Sequence, residues 1–164
     1  MTIENPRDIS VAVLVVVLGL LVGIAGAAAA RADIPVPAVN AQEGIGLKGY
    51  DPIAYFINRA PTQGSAQYSY VWKGITYRFA SGENLPRFKA DPEKYLPQYG
   101  GYCAYALSLN RIADIDPSRW AIVNRKLYLN NGFVAEKLWS LDKSGNVASG
   151  DRNWPFYPEK AAGE

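Results

Sequence analysis

The hydrophobic pattern divides the chain into two parts. From Val11 to Ala30 there is no charged residue. At about 1.5 Å rise per residue, a helix of that length spans roughly the 30 Å hydrocarbon core of a bilayer. Beyond it the apolar residues come in short runs. Tyr68 to Trp72 and Ile75 to Phe79 are aromatic and β-branched and are separated by Lys73-Gly74, a spacing that predicts a tight β-hairpin. Trp120 to Val123 and Lys126 to Asn130 flank Asn124-Arg125 and predict a second hairpin, the Asn tolerating positive φ. Ser81 is placed to cap a helix over Glu83 to Ala90, with Pro86 near its first turn. Val134, Leu138 and Leu141 recur at helical spacing beside Trp139. Strands and helices alternate without a regular βαβ repeat, so the predicted class is α+β, a small single domain behind one transmembrane helix.

The apolar N-terminal run has two readings. As a retained anchor it makes residues 1–32 a single-pass segment. As a cleavable secretory signal it ends at Ala30-Arg31-Ala32, a small-x-small site before Asp33. Glu4 and Asp8 beside Arg7 make a weak basic flank, and the run is longer than a signal needs, which favours the anchor. Both readings deliver the domain across the membrane, to the periplasm if the source is a Gram-negative bacterium. Gly19, Gly23 and Ala27 recur every four residues and present a small-residue face on which another transmembrane helix can pack. Residues 33–43, with Pro35 and Pro37, read as an extended linker; 44–158 as the domain, starting near Gly44; and 159–164 as a tail.

Composition narrows the chemistry. Of 164 residues 49% are hydrophobic, with four Trp and eleven Tyr, enough to build a core. The net charge is +2, and the 17 Lys and Arg are scattered singly, which argues against a nucleic-acid partner. The sequence contains no His, which removes the commonest general base and metal ligand. Cys103 is the single Cys, so no internal disulfide and no multi-Cys metal site can form. Three Asp-Pro pairs, at Asp51, Asp91 and Asp116, read as caps or turn starts rather than as a carboxylate cluster. Gly100-Gly101 lacks the further glycines and the Lys of a phosphate loop and reads as a turn.

Several ordered motifs carry a resemblance. Gly49-Tyr50-Asp51-Pro52-Ile53-Ala54-Tyr55-Phe56, Tyr77-Arg78-Phe79-Ala80-Ser81, Asp91-Pro92-Glu93-Lys94-Tyr95 and Gln98-Tyr99-Gly100-Gly101-Tyr102-Cys103-Ala104 resemble the YHS-domain family. The likeness continues through Lys126-Leu127-Tyr128-Leu129-Asn130 to Asn153-Trp154-Pro155. The resemblance implies a small α+β domain without established catalysis, and for some relatives an association with copper. Carried onto this chain, it leaves Cys103 as the one soft-metal ligand. The residues themselves give Cys103 a second reading, a buried thiol packed as a small hydrophobe. The expected function is a non-enzymatic accessory subunit of a larger membrane complex, respiratory, photosynthetic or transport, with its partners among transmembrane helices. The alternative is a periplasmic copper-binding or copper-sensing protein using Cys103.

Overall fold

In a computed structural model of the chain, residues 37–158 are described. The segment Val11 to Ala30, with Gly19, Gly23 and Ala27, lies outside the described residues. The domain is α+β. Among the described residues no helix is long and apolar enough to cross a membrane.

Short strands β1 (Ala41–Gln42) and β2 (Ile45–Gly46) open the fold and are followed by a single 3₁₀ turn. Helix α1 (Pro52–Ile57) leads into β3 (Ser65–Trp72) and β4 (Ile75–Phe79). The four strands form one sheet in the order β1-β2-β4-β3, with β2 parallel to β4 and the other pairs antiparallel. The β3–β4 hairpin forms as expected. Lys73 (φ 48°) and Gly74 (φ 78°) both take the left-handed region, which a two-residue turn matched to the strand twist requires.

Helices α2 (Asn84–Ala90) and α3 (Pro92–Tyr95) come next, then a 3₁₀ turn over Gln98–Gly101 and the short α4 (Ala104–Ser108). The second hairpin, β5 (Asp116–Val123) and β6 (Lys126–Asn130), also forms as expected, through Asn124 (φ 50°) and Arg125 (φ 64°). Helices α5 (Phe133–Leu141) and α6 (Lys143–Asn153) close the domain. The 3₁₀ segment crosses beside β6, with parallel bridges Pro97 to Leu127 and Cys103 to Leu129. Leu127 and Leu129 therefore enter one core cluster with Leu47, Tyr55 and Ile115, while Tyr128 enters another with Tyr99, Leu107 and Trp139. A strand with helix or loop against both faces is apolar throughout, and Leu127 to Asn130 are all buried.

Two expectations need correction. Ser81 does not cap α2 with its side chain; its carbonyl accepts from Asn84 N–H at 3.3 Å, and the helix begins at Asn84 rather than Glu83. Asp116-Pro117 is a turn start as expected, at the head of β5, the carboxylate making an Asx turn with Ser118 N–H at 2.9 Å. The described end of the expected linker is bound to the domain: Asn40 N–H donates to Gly100 O at 2.8 Å, and Ala41–Gln42 pair with β2. The helix α5 forms as expected, with Val134, Leu138 and Leu141 67%, 41% and 83% exposed, while Trp139 alone of that helix is wholly buried. The spacing was helical, but periodicity does not say which face meets the core.

Asp51 caps α1, as its Asp-Pro setting predicts, and does more. Its Oδ1 accepts from Ile53 N–H at 2.7 Å; its Oδ2 accepts from Ala80 N–H at 2.8 Å and from Asn84 Nδ2 at 2.7 Å. The residue is fully buried. Removing a buried charged acceptor strands three donors, each such bond contributing about 1.5–3 kcal/mol. Asp51→Ala is expected to lower the unfolding free energy by about 3 kcal/mol or more, measured by urea denaturation; a loss under about 1 kcal/mol contradicts the assignment.

Candidate functional site

The motif residues fall into two places. Tyr50, Asp51 and Pro52 form the entry to α1: Tyr50 is half-buried against the Leu47 cluster, and Asp51 and Pro52 are buried. Tyr99, Gly100, Gly101, Tyr102 and Cys103 form the 3₁₀ turn and the start of α4. Tyr99 (φ 59°), Gly100 (φ 59°) and Gly101 (φ 81°) are all left-handed, so the turn doubles back tightly. The Gly100-Gly101 pair is therefore a backbone turn.

Three contacts pin that turn. The Tyr99 hydroxyl lies 3.0 Å from Asp151 Oδ1 and 3.1 Å from Val147 O, donating to one at a time. Burial first, and then Asp151, push its pKa well above the usual tyrosine range. The approach depends on Gly150 of α6, where a Cβ would meet the Tyr99 hydroxyl at 2.6 Å. On the other side Asn40 donates through Nδ2 to Gly101 O at 3.1 Å and to Asp114 Oδ1 at 2.9 Å. Lys48 Nζ lies 2.6 Å from Asp114 Oδ2. Burial works against ionisation of Asp114, but hydrogen bonds from Lys48, Asn40 and Ile115 N–H outweigh it and hold the carboxyl below its usual range.

Cys103 is 1% exposed, and its sulfur acts as a helix cap. Sγ accepts from Ala106 N–H at 3.4 Å and from Asn131 N–H at 3.3 Å, and the thiol donates towards Asn130 Oδ1 at 3.8 Å. A Cys here does what Ser, Thr or Asp does at other N-caps. Asn130 Oδ1 also accepts from Tyr105 N–H at 3.1 Å, so one buried amide joins β6 to α4. Among the described residues no group of three or more Cys, Asp or Glu is placed to hold a metal ion. Asp51, Asp91 and Asp116 stay at separate helix and strand starts, Asp91 capping α3 through Lys94 N–H at 3.4 Å.

Sequence reasoning did not identify the cavity beside this turn. Its volume is about 310 Å³, and Trp72, Tyr77, Leu96, Gly100, Gly101 and Trp154 are among its walls. Lys73 and Glu93, ion-paired at 2.7 Å, also line it. Its walls come from β3, β4, the 3₁₀ turn and the chain's C-terminal part, and each reads locally as core. No local signal marks it, since Trp72, Tyr77 and Trp154 each also pack in a core cluster.

The YHS domain family model matches residues 53–99, from α1 through the first residues of the 3₁₀ turn. No curated protein and no solved structure matches the chain.

The state of Cys103 is directly measurable. Its thiol is expected to react with a disulfide reagent only at the rate of unfolding, and Cys103→Ser to retain the fold. Cys103→Ala loses the cap, at a cost of about 0.5–2 kcal/mol. Immediate labelling of the native protein contradicts the assignment.

Proposed function

We propose that the chain, a YHS-domain protein, is a non-catalytic interaction module: an accessory subunit of a larger membrane assembly of respiratory, photosynthetic or transport type. In this reading Val11–Ala30 holds it in a bacterial inner membrane and its domain works in the periplasm. The observation that carries the proposal is the outer face of α5. Val134, Leu138 and Leu141 stand at i, i+4 and i+7 on one side of the helix, with Phe133 beside them 56% exposed. Single exposed apolar residues are ordinary, whereas a continuous stripe along a helix marks a contact surface.

The polar chemistry of the domain supports a binding role. The sequence has no His, Asp51 is saturated by three donors, and Asp114 is held by Lys48 and Asn40. None of these groups is left to transfer a proton. The small-residue face of Gly19, Gly23 and Ala27 supplies a second contact, with transmembrane helices of the partner. A copper site at Cys103 draws no comparable support, since its sulfur already accepts two backbone hydrogen bonds.

The full chain extracted from its native membranes in mild detergent is expected to migrate as part of a particle much larger than its 17.9 kDa. Leu138→Asp with Leu141→Asp, both at exposed positions, is expected to release the folded monomer. Extraction of the unaltered protein as a monomer contradicts the proposal.

A further inference from the structure

The cavity beside the 3₁₀ turn lies apart from the α5 face and raises a separate question. Trp72 and Tyr77 belong to one face of the β3–β4 hairpin. Tyr70 is paired with Tyr77, and Trp72 lies two residues along β3 from Tyr70, so all three point the same way. Gly46 of β2 makes room for the Tyr77 ring, since a Cβ there would meet Tyr77 Cε1 at 2.6 Å. Opposite this face stands Trp154, the first residue of the C-terminal 3₁₀ turn, with Leu96 and the Gly100-Gly101 backbone completing the walls.

Two donors on these residues, the Tyr77 hydroxyl and Trp72 Nε1, have no partner among the described residues. Tyr77 is 2% exposed, and among the described residues no hydrogen bond engages its hydroxyl. Trp72 Nε1 is buried and has no acceptor among the described residues, as is true of Asn130 Nδ2 and Trp139 Nε1 elsewhere in the domain. Buried donors are almost always satisfied in native proteins, and leaving one unpaired costs roughly 1–3 kcal/mol. Burial first, and then Glu93, push the Tyr77 pKa up to about 12, so at neutral pH the phenol keeps its proton to donate. Among the described residues the charges lining the cavity are Lys73 and Glu93, which are paired with each other at 2.7 Å and offer no net attraction to an ion.

From these features we propose that the cavity is a binding site for a small, flat, uncharged ring compound bearing an oxygen acceptor, with Trp72, Tyr77 and Trp154 as its aromatic walls and the Tyr77 hydroxyl bonding the oxygen. A volume of about 310 Å³ suits a ligand of one or two fused rings. Aromatic walls supply contact area to a flat ring, and a phenol that keeps its proton donates to carbonyl and ether oxygens.

The test uses the full chain, labelled with ¹⁵N, in mild detergent. Its spectrum carries four indole signals for the four Trp, and Trp72→Phe assigns the one from Trp72 by deleting it. Chromone, an uncharged bicyclic ring with two oxygen acceptors, is titrated against indole, a bicycle of similar size with a donor and no oxygen. Chromone is expected to shift the Trp72 signal saturably, with indole at least about fivefold weaker, and Tyr77→Phe is expected to weaken chromone by about fivefold or more. Absence of a saturable shift at millimolar chromone, equal affinity for indole, or unchanged chromone affinity in a folded Tyr77→Phe each overturns the proposal. Should Tyr77→Phe lose its folded spectrum, the comparison of chromone with indole on the unaltered chain decides by itself.

Discussion

The carboxylate of Asp51 stands at the point where three elements of the domain meet. It has no solvent contact, and an unpaired buried carboxylate costs several kcal/mol even after the protein relaxes around it. Its two oxygens are instead supplied with three donors, from Ile53 at the start of α1, from Ala80 just after β4 and from Asn84 at the start of α2. The bond to Ala80 fixes the end of β4, and β4 carries Tyr77 into the cavity and Phe79 into the core cluster with Ile53 and Phe88. The bond to Ile53 fixes α1, which places Ile53 in that cluster and Tyr55 in the neighbouring one. One polar junction thus sets the register between two apolar cores.

A second polar set does the same for the other half. Asn130, at the end of β6, accepts from Tyr105 N–H and from the Cys103 thiol, while the Cys103 sulfur caps α4 and holds Asn131 N–H. Asn40 clamps Gly100 and Gly101 from the opposite side. The cavity lies along that clamped turn, and its shape depends on Tyr99 to Gly101 remaining in their left-handed conformations. The conspicuous glycine, cysteine and aspartate motifs are therefore structural in what they touch. The α5 stripe and the Tyr77 hydroxyl beside the cavity are the groups on which the functional proposals rest.

How much of this was legible in the sequence follows the range of the interactions. Both hairpins were readable because a two-residue turn is local chemistry, Lys73-Gly74 and Asn124-Arg125 each taking positive φ. The Asp51 cap was readable for the same reason, but its bonds to Ala80 and Asn84 join residues 29 and 33 positions away and leave no local trace. Helix α6 was not anticipated because Gly145, Gly150 and scattered polar residues give it low propensity; Gly150 is there for the Tyr99 hydroxyl. The α5 pattern gave the helix but not its inner face, which Trp139 takes by meeting Tyr128 at a ring separation of 5.4 Å. The cavity escaped because its walls are assembled from distant segments, each unremarkable by itself.

If the Asp51 junction is the frame on which the hairpin and α1 are set, the amides that bond to it must open only when the whole domain unfolds. Native-state hydrogen exchange of the full chain reads this at Ile53 and Ala80, whose N–H groups are the donors. Protection at both equal to the global unfolding free energy, and rising and falling with it in denaturant, is the expected result. Exchange at either amide through local opening, at a free energy well below the global value, would contradict the account.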